Sequence, residues 1–239
     1  MSDLIGAGSG PAGDEIEVTP GTVVVFADIG CPWAHLTLFR LHTWRDRLGL
    51  VERVRFDNRA FPLELINSQP TPKSTLDAEI PVVGGLEPAA GWQIWQRPPE
   101  QWPVTTLPAL EAVAAAKEQG LVASENLDRA LRIGLFAQSR TLSMHHEILG
   151  IASETEDVDE NHLAEALRNG RARATLFDDL AVSLGPRIEG SPHLFFADGT
   201  DVHNPGIERH WEEEHGRGFP VVDKDDPAVY EDLLRRAAE

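Results

Sequence analysis

The chain has 239 residues, is 41 % apolar and carries a formal net charge of −18, which allows a real core in one large domain or one domain with a big insertion. So acidic a surface repels phosphate backbones and anionic lipid, and no apolar run approaches the length of a membrane span, so neither nucleic acid nor membrane is expected as a partner. The single cysteine excludes an internal disulfide framework.

Residues 1–19 hold Gly, Ser, Pro and acids, with no basic start and no apolar stretch. They predict a disordered tail, not a secretory signal, and hence a cytoplasmic protein. The basic residues are mostly Arg, with Lys only at Lys73, Lys117 and Lys224, a bias of high-GC bacterial genomes.

The β-branched run after Thr22 predicts a buried strand over Thr22–Ala27. Gly30 turns the chain, Cys31 follows, and Pro32 takes a position favoured in the first turn of a helix. Leu36, Leu38, Phe39, Leu41 and Trp44 then recur at helical spacing, up to a stop at Gly49. Cys31 therefore falls where a strand ends and a helix begins, with free N–H groups and the positive dipole end beside its sulfur. A lone cysteine is most often a small buried hydrophobe. This junction favours a functional thiol instead, partly exposed and with a pKa below the free value of about 8.5. Trp33 projects from the first helical turn, to shield the sulfur, to stack on a substrate, or simply to pack. His35, four residues after Cys31, is a candidate to support the thiolate, weighed against a plain core histidine.

Val51, Val54 and Phe56 predict a second strand over Val51–Asn58, parallel to the first, with Arg59–Leu63 as its exit loop. Between residues 67 and 105, seven prolines break any long element and Trp92, Trp95 and Trp102 are concentrated. A long loop pinned by aromatic burial is the plainer reading, and a lid over an apolar pocket the alternative. From Thr106 the pattern is helical. Leu107, Leu110, Val113 and Ala114 share a face up to Gly120, and Ser124 caps a helix with Leu127, Leu131 and Leu135. Further helices are expected over Met144–Ile151, after an Asp159 cap, and through Leu176, Leu180 and Leu184.

Pro192 opens a strand, and Asp198-Gly199 is a strong hairpin signal between apolar runs. Strands are expected over Leu194–Ala197 and Thr200–His203. His193 is another candidate to support the site, although strand alternation turns it away. Ile207–His215 and Pro227–Ala238 read as closing helices. His145-His146-Glu147 and His210, Glu214 and His215 lack the spacing of a metal site, so no metal is expected.

The element order is that of an α/β thioredoxin fold with a large helical insertion. Its expected parts are a tail (1–19), an N-terminal thioredoxin-like part (20–66), a loop and helical insertion (67–180) and a C-terminal thioredoxin-like part (181–239). Cys31-Pro32-Trp33-Ala34 resembles the Cys-Pro-x-Cys helix start of DsbA-like thiol oxidoreductases. It is most similar to the branch of FrnE-type proteins, 2-hydroxychromene-2-carboxylate isomerases and kappa-class glutathione transferases. Arg59–Leu63, Gly190-Ser191-Pro192 and the stretch from Asp198-Gly199 to Asn204-Pro205-Gly206 agree with that branch. The resemblance covers about 20–66 and 171–215. It implies a cis Ser191–Pro192 bond facing Cys31, with the Ser191 backbone pairing with a thiol ligand. It also implies thiol-cofactor contacts at His203 and Asn204, beside Pro32 and Trp33.

The family's second cysteine is Ala34 here. A dithiol enzyme uses that thiol to resolve its mixed disulfide. The resemblance thus implies a monothiol oxidoreductase in which Cys31 is resolved by an external thiol, with no permanently bound cofactor and a low-molecular-weight thiol or a protein disulfide as partner. The alternatives are a glutathione- or mycothiol-type isomerase or transferase acting on an apolar small molecule, and a redox-inactive binding module.

Overall fold

Val23, Val24 and Val25 lie in the middle of the sheet, buried on both faces. The computed structural model describes residues 16–239. The tail read over 1–19 falls largely outside them. Ile16 and Val18, however, pack against the buried Val24, Phe26, Phe61, Ile188 and Phe195, so the ordered chain begins earlier than composition suggests.

Strand β1 (Thr22–Ala27) pairs in parallel with β2 (Arg55–Ala60) and antiparallel with β3 (His193–Phe195), which pairs with β4 (Asp201–His203). The order β2-β1-β3-β4 makes one mixed four-stranded sheet. Helix α1 (Pro32–Arg47) crosses from β1 to β2, and its last turn gives way to Gly49 at a φ of +66°. Leu36, Leu38 and Leu41 of α1 bury Val23, Val25 and Ala27 together with Tyr230 and Leu234 of α9 (Val229–Ala237). The sheet is therefore covered on one face by α1 and α9 and on the other by the cluster around Phe26.

A short helix α2 (Leu63–Ile66) follows β2. The stretch from residue 67 is not one long loop: α3 runs from Lys73 to Leu86, straight through Pro81. Leu76, Ile80 and Val83 sit at helical spacing and are buried. Pro81 lies on the exposed face, where the loss of one helical hydrogen bond costs less than it would in the core. Beyond α3, Trp95 is buried, and Trp92 and Trp102 pack against the core of the insertion.

That core is built by α4 (Leu107–Ala116), α5 (Leu121–Gln138), α6 (His145–Ser153), α7 (Glu160–Asn169) and α8 (Arg173–Ser183). Asp159 caps α7 by accepting the N–H groups of Asn161 and His162 at 2.9 and 3.0 Å. Ser124 does not cap α5. The helix starts at Leu121, and the Ser124 hydroxyl is buried inside it, donating to the Val113 carbonyl at 2.9 Å.

The larger correction concerns Ile207–His215, expected as a helix. Instead β5 (Ile207–Trp211) and β6 (Pro220–Asp225) form an antiparallel hairpin. Ile207, Arg209 and Trp211 alternate with the more exposed Glu208 and His210. That period of two is a strand's, and Gly216 and Gly218, both at positive φ, close the connection. Arg40 of α1 donates to both Asp225 carboxylate oxygens, at 2.6 and 2.9 Å, and holds β6 onto the domain.

Candidate functional site

Residues from four separated stretches meet at the N-terminus of α1. Cys31 is the N-cap residue, in extended conformation, and Pro32 takes the first helical position. The preceding turn is set by Asp28, whose Oδ1 accepts the Gly30 N–H at 2.7 Å, a local side-chain turn available to Asp two residues before the bonded amide. A Cβ on Gly30 would stand 3.1 Å from the Thr106 methyl and 3.3 Å from Asp28 Oδ1, so only glycine sits there without displacement.

Asp28 reaches further. Oδ2 accepts the Leu63 N–H at 2.8 Å, and the Thr106 hydroxyl donates to the same carboxylate at 3.1 Å. Its backbone N–H donates to the Ser191 hydroxyl at 2.9 Å. Its carbonyl accepts from the buried guanidinium of Arg132 at 2.8 Å, which is itself paired with Asp128. One buried residue thus ties the Cys31 loop to α2, to α4, to α5 and to the Ser191 loop. Burial pushes its carboxyl upward, against the hydrogen bonds from Gly30, Leu63 and Thr106.

The Ser191–Pro192 peptide bond is cis. The Cys31 Sγ donates to the Ser191 carbonyl oxygen at 3.3 Å. Cys31 is buried, 5 % exposed as a residue, not partly open. Burial pushes the thiol up from its ordinary value, and the nearby Glu79 carboxylate adds to that. The Ser191 side chain, the Ala34 N–H of the first helical turn and the Arg209 charge pull downward and do not prevail. The helix terminus does face the sulfur, but its partial charge is smaller than the loss of water around a thiolate.

Trp33 is buried, and its indole N–H donates to Glu79 Oε1 at 2.8 Å. The Arg209 guanidinium lies over the same ring, 4.3 Å from its centroid. Ala34 is fully buried beneath the sulfur's helical turn. His35 is a core residue, stacked on Phe136 at 5.1 Å with Trp92 at its edge. Burial drives its pKa down to about 3, so it brings no positive charge to the thiol. His193 is also turned away. It is fully buried, accepts the Glu189 N–H on Nδ1 at 3.0 Å, and reaches Asp201 through Nε2 at 3.0 Å. Both histidines are structural, contrary to their place among the supporting candidates.

His203 and Asn204 divide their tasks. His203 lines the space before Cys31 and stands 3.7 Å from Glu189. A Cβ on Gly190 would come within 2.8 Å of its Nε2. Asn204, at a φ of +46°, holds the loop instead, donating its backbone N–H to the Pro192 carbonyl at 3.1 Å and contacting the His203 ring.

Cys31, Trp33, Ser191 and His203 open onto a cleft of about 820 Å³. Its far walls come from Asn67 to Glu79 and from Arg209 and the hairpin loop at His215–Arg217. Glu79 and Arg209 were not among the sequence candidates. They sit in α3 and β5, where the sequence pattern predicts a loop and a helix, and alternation through Ile207, Arg209 and Trp211 is the one signal for the strand.

Solved structures resemble the chain over nearly its whole length. The cytosolic disulfide reductase DsbM from Pseudomonas aeruginosa is 14 % identical, with a TM-score of 0.56 over 90 % of this chain and 95 % of that one. DsbM with GSH is 13 % identical at a TM-score of 0.60, over 90 % and 97 % of the two chains. A protein described as a probable DsbA oxidoreductase from Streptomyces coelicolor is 16 % identical at a TM-score of 0.59, over 90 % and 89 %. No family model and no curated protein matches the sequence. At such identities the likeness is one of fold: this chain has the α/β thioredoxin fold of DsbA-like proteins, with a large helical insertion.

Proposed function

We propose that the protein is a thiol–disulfide oxidoreductase of monothiol type. The observation that carries this reading is the pairing of the chain's one thiol with the carbonyl before cis-Pro192, at 3.3 Å, on the wall of an open cleft. The Cys31 thiolate attacks one sulfur of a disulfide, forms a Cys31 mixed disulfide, and expels the other half as a thiolate that takes up a proton. An external thiol, as thiolate, then attacks the ligand's sulfur and returns Cys31 as thiolate. The net change is the exchange of one thiol for another in the disulfide, and no internal second cysteine is needed. Pro32, Trp33, Ser191, Pro192, His203 and Asn204 form or hold the binding surface in this reading. DsbM with GSH supports a small thiol as the partner. A cytoplasmic setting suits such a partner, and no helix among the described residues is long and apolar enough to cross a membrane.

The test is incubation with glutathione disulfide followed by intact mass. A single adduct on Cys31, removed by added thiol and absent from Cys31→Ser, is expected. No adduct under conditions that modify free cysteine would sink the reading.

One contact favours a second reading. The thiol is protonated where it donates to Ser191, and a neutral S–H can equally donate to the thiolate of a bound cofactor. The fold would then serve an isomerase or transferase whose chemistry lies on that cofactor's sulfur. Cys31→Ser would retain much of such an activity, because serine still donates, whereas it abolishes disulfide exchange.

A further inference from the structure

Arg209 is a cation on the wall of the cleft. Among the described residues, no ion pair or hydrogen bond engages its guanidinium, and its Nε is buried without a partner. It lies over the face of Trp33, 4.3 Å from the ring centroid, and its charge reaches Glu79 and Cys31. The chain's acidity makes this notable, since the formal charge is −18 and most other arginines here are paired.

The hairpin is built to aim this side chain. The β5–β6 register shifts between Glu208 and Arg209: Glu208 pairs with Lys224 and Arg209 with Val222, leaving Asp223 as an extra residue on β6. Such bulges redirect the side chains beside them. Asp223 is taken by His210 at 2.7 Å, on the outer side, and does not compete for Arg209. Trp211, on the same face of β5, also carries a buried indole N–H without a partner. This strand face holds donors and lacks acceptors.

The cleft's own carboxylates make their hydrogen bonds and ion pairs with other groups, although the Arg209 charge reaches Glu79. Glu79 accepts from the Trp33 indole, and Glu189 stands beside His203. Arg217, on the connecting loop, faces Glu214 at 3.7 Å and is largely in water. Stacking on Trp33 holds Arg209 against a side chain two residues after Cys31. A planar guanidinium so held matches a carboxylate with two parallel hydrogen bonds.

We infer that Arg209 is a specificity-determining residue that selects thiols and disulfides bearing a carboxylate near the sulfur. This deepens the oxidoreductase reading and rests on it for the exchange step. Cys31 thiolate attacking 2,2′-dithiodiacetate would form the mixed disulfide and release mercaptoacetate, with the remaining carboxylate on Arg209.

The experiment compares exchange of Cys31 with 2,2′-dithiodiacetate and with neutral 2-hydroxyethyl disulfide, each rate divided by that of free cysteine. The wild type is expected to prefer the anionic disulfide by about 10-fold, the scale of one charge-assisted contact. Arg209→Gln is expected to bring the ratio to about one, and Arg209→Lys to retain part of it, since lysine keeps the charge without the fork. A wild-type ratio of one overturns the inference without any variant, and so does a preference that survives in Arg209→Gln. Calorimetric titration with S-methylglutathione and its dimethyl ester separates the two proposals, because no exchange is needed. Arg209-dependent preference for the acid, with no adduct on Cys31, keeps the carboxylate subsite and removes the oxidoreductase reading. Equal binding of acid and ester, with normal exchange, does the reverse.

Discussion

Glu79 Oε1 holds the indole N–H of Trp33 at 2.8 Å, and so fixes a buried carboxyl group beside the chain's one thiol. Burial is the main force raising the Cys31 pKa, and the Glu79 charge adds to it. Glu79→Gln keeps an acceptor for the indole and removes the charge. The Cys31 pKa is expected to fall, because a nearby like charge is removed. Alkylation by iodoacetamide near neutral pH should then be several-fold faster than in the wild type. An unchanged pH–rate profile would mean that Glu79 is protonated beside the thiol or too well screened to act.

Ala34 stands where a resolving thiol would be. It is fully buried, so Ala34→Cys adds a sulfur to a packed site and is expected to cost about 1–3 kcal/mol in the reduced protein. In return, oxidation should give an intramolecular disulfide with Cys31, seen as the loss of two mass units and of both alkylatable thiols. Glutathione adducts should become transient, because the new thiol expels them. A stable adduct on Cys31 of this variant would show that the two sulfurs cannot meet.

What the sequence disclosed and what it hid follow from the range of the forces involved. The Val23–Val25 run, Pro32 at a helix start and the Asp198-Gly199 turn are local signals, and the elements they mark lie where they were expected. The strand expected from Val51 begins only at Arg55, because residues 51–53 still turn off the end of α1. Pro81 was misleading because a proline on the water-facing side of a helix costs less than one in the core. Ile207–Trp211 was misleading because its period of two runs for only five residues and passes through a charged side chain, Arg209, on the inner face. The burial of Cys31 was hidden for a different reason. The walls that close over it come from Phe61, Glu79 and Ser191, which no local pattern brings together.

His35 gives the protein a pH dependence separate from the thiol. Its pKa is about 3 in the folded state, through burial first and the Arg132 charge second, against about 6.5 unfolded. Below pH 6.5 the unfolded chain binds a proton that the folded one refuses. The stabilisation is full above the unfolded pKa and is lost progressively as pH falls towards 3, at up to about 1.4 kcal/mol per pH unit. His42, buried and held low for the same first reason, acts in the same direction. The melting temperature should therefore fall between pH 7 and pH 5. His35→Phe should flatten that fall, while leaving the pH dependence of Cys31 alkylation as it was. An equally steep fall in the variant would assign the acid sensitivity to His42 or to other groups.

Arg40 makes the last prediction, because it joins the hairpin to the thiol's own helix. It is 2 % exposed and makes a two-pronged contact with Asp225 at 2.6 and 2.9 Å, with Glu87 3.4 Å from its Nε. Arg40→Ala leaves a half-buried Asp225 without its cation and opens space under Tyr230, whose ring the guanidinium approaches. Losing one partner of a largely buried pair costs about 3 kcal/mol, less here because Asp225 keeps some water. Thermal unfolding should drop by several degrees. The effect on the cleft should be sharper than the effect on the core, because β6 carries β5, and β5 carries Arg209. Amide exchange in residues 207–225 should accelerate while β1 and β3 stay protected, since the hairpin is a separate two-stranded sheet. Asp225→Asn should show the same pattern in milder form, because it keeps one acceptor for Arg40. Uniform acceleration across both sheets would mean that the hairpin unfolds only with the whole domain, and that Arg40 is an ordinary core residue.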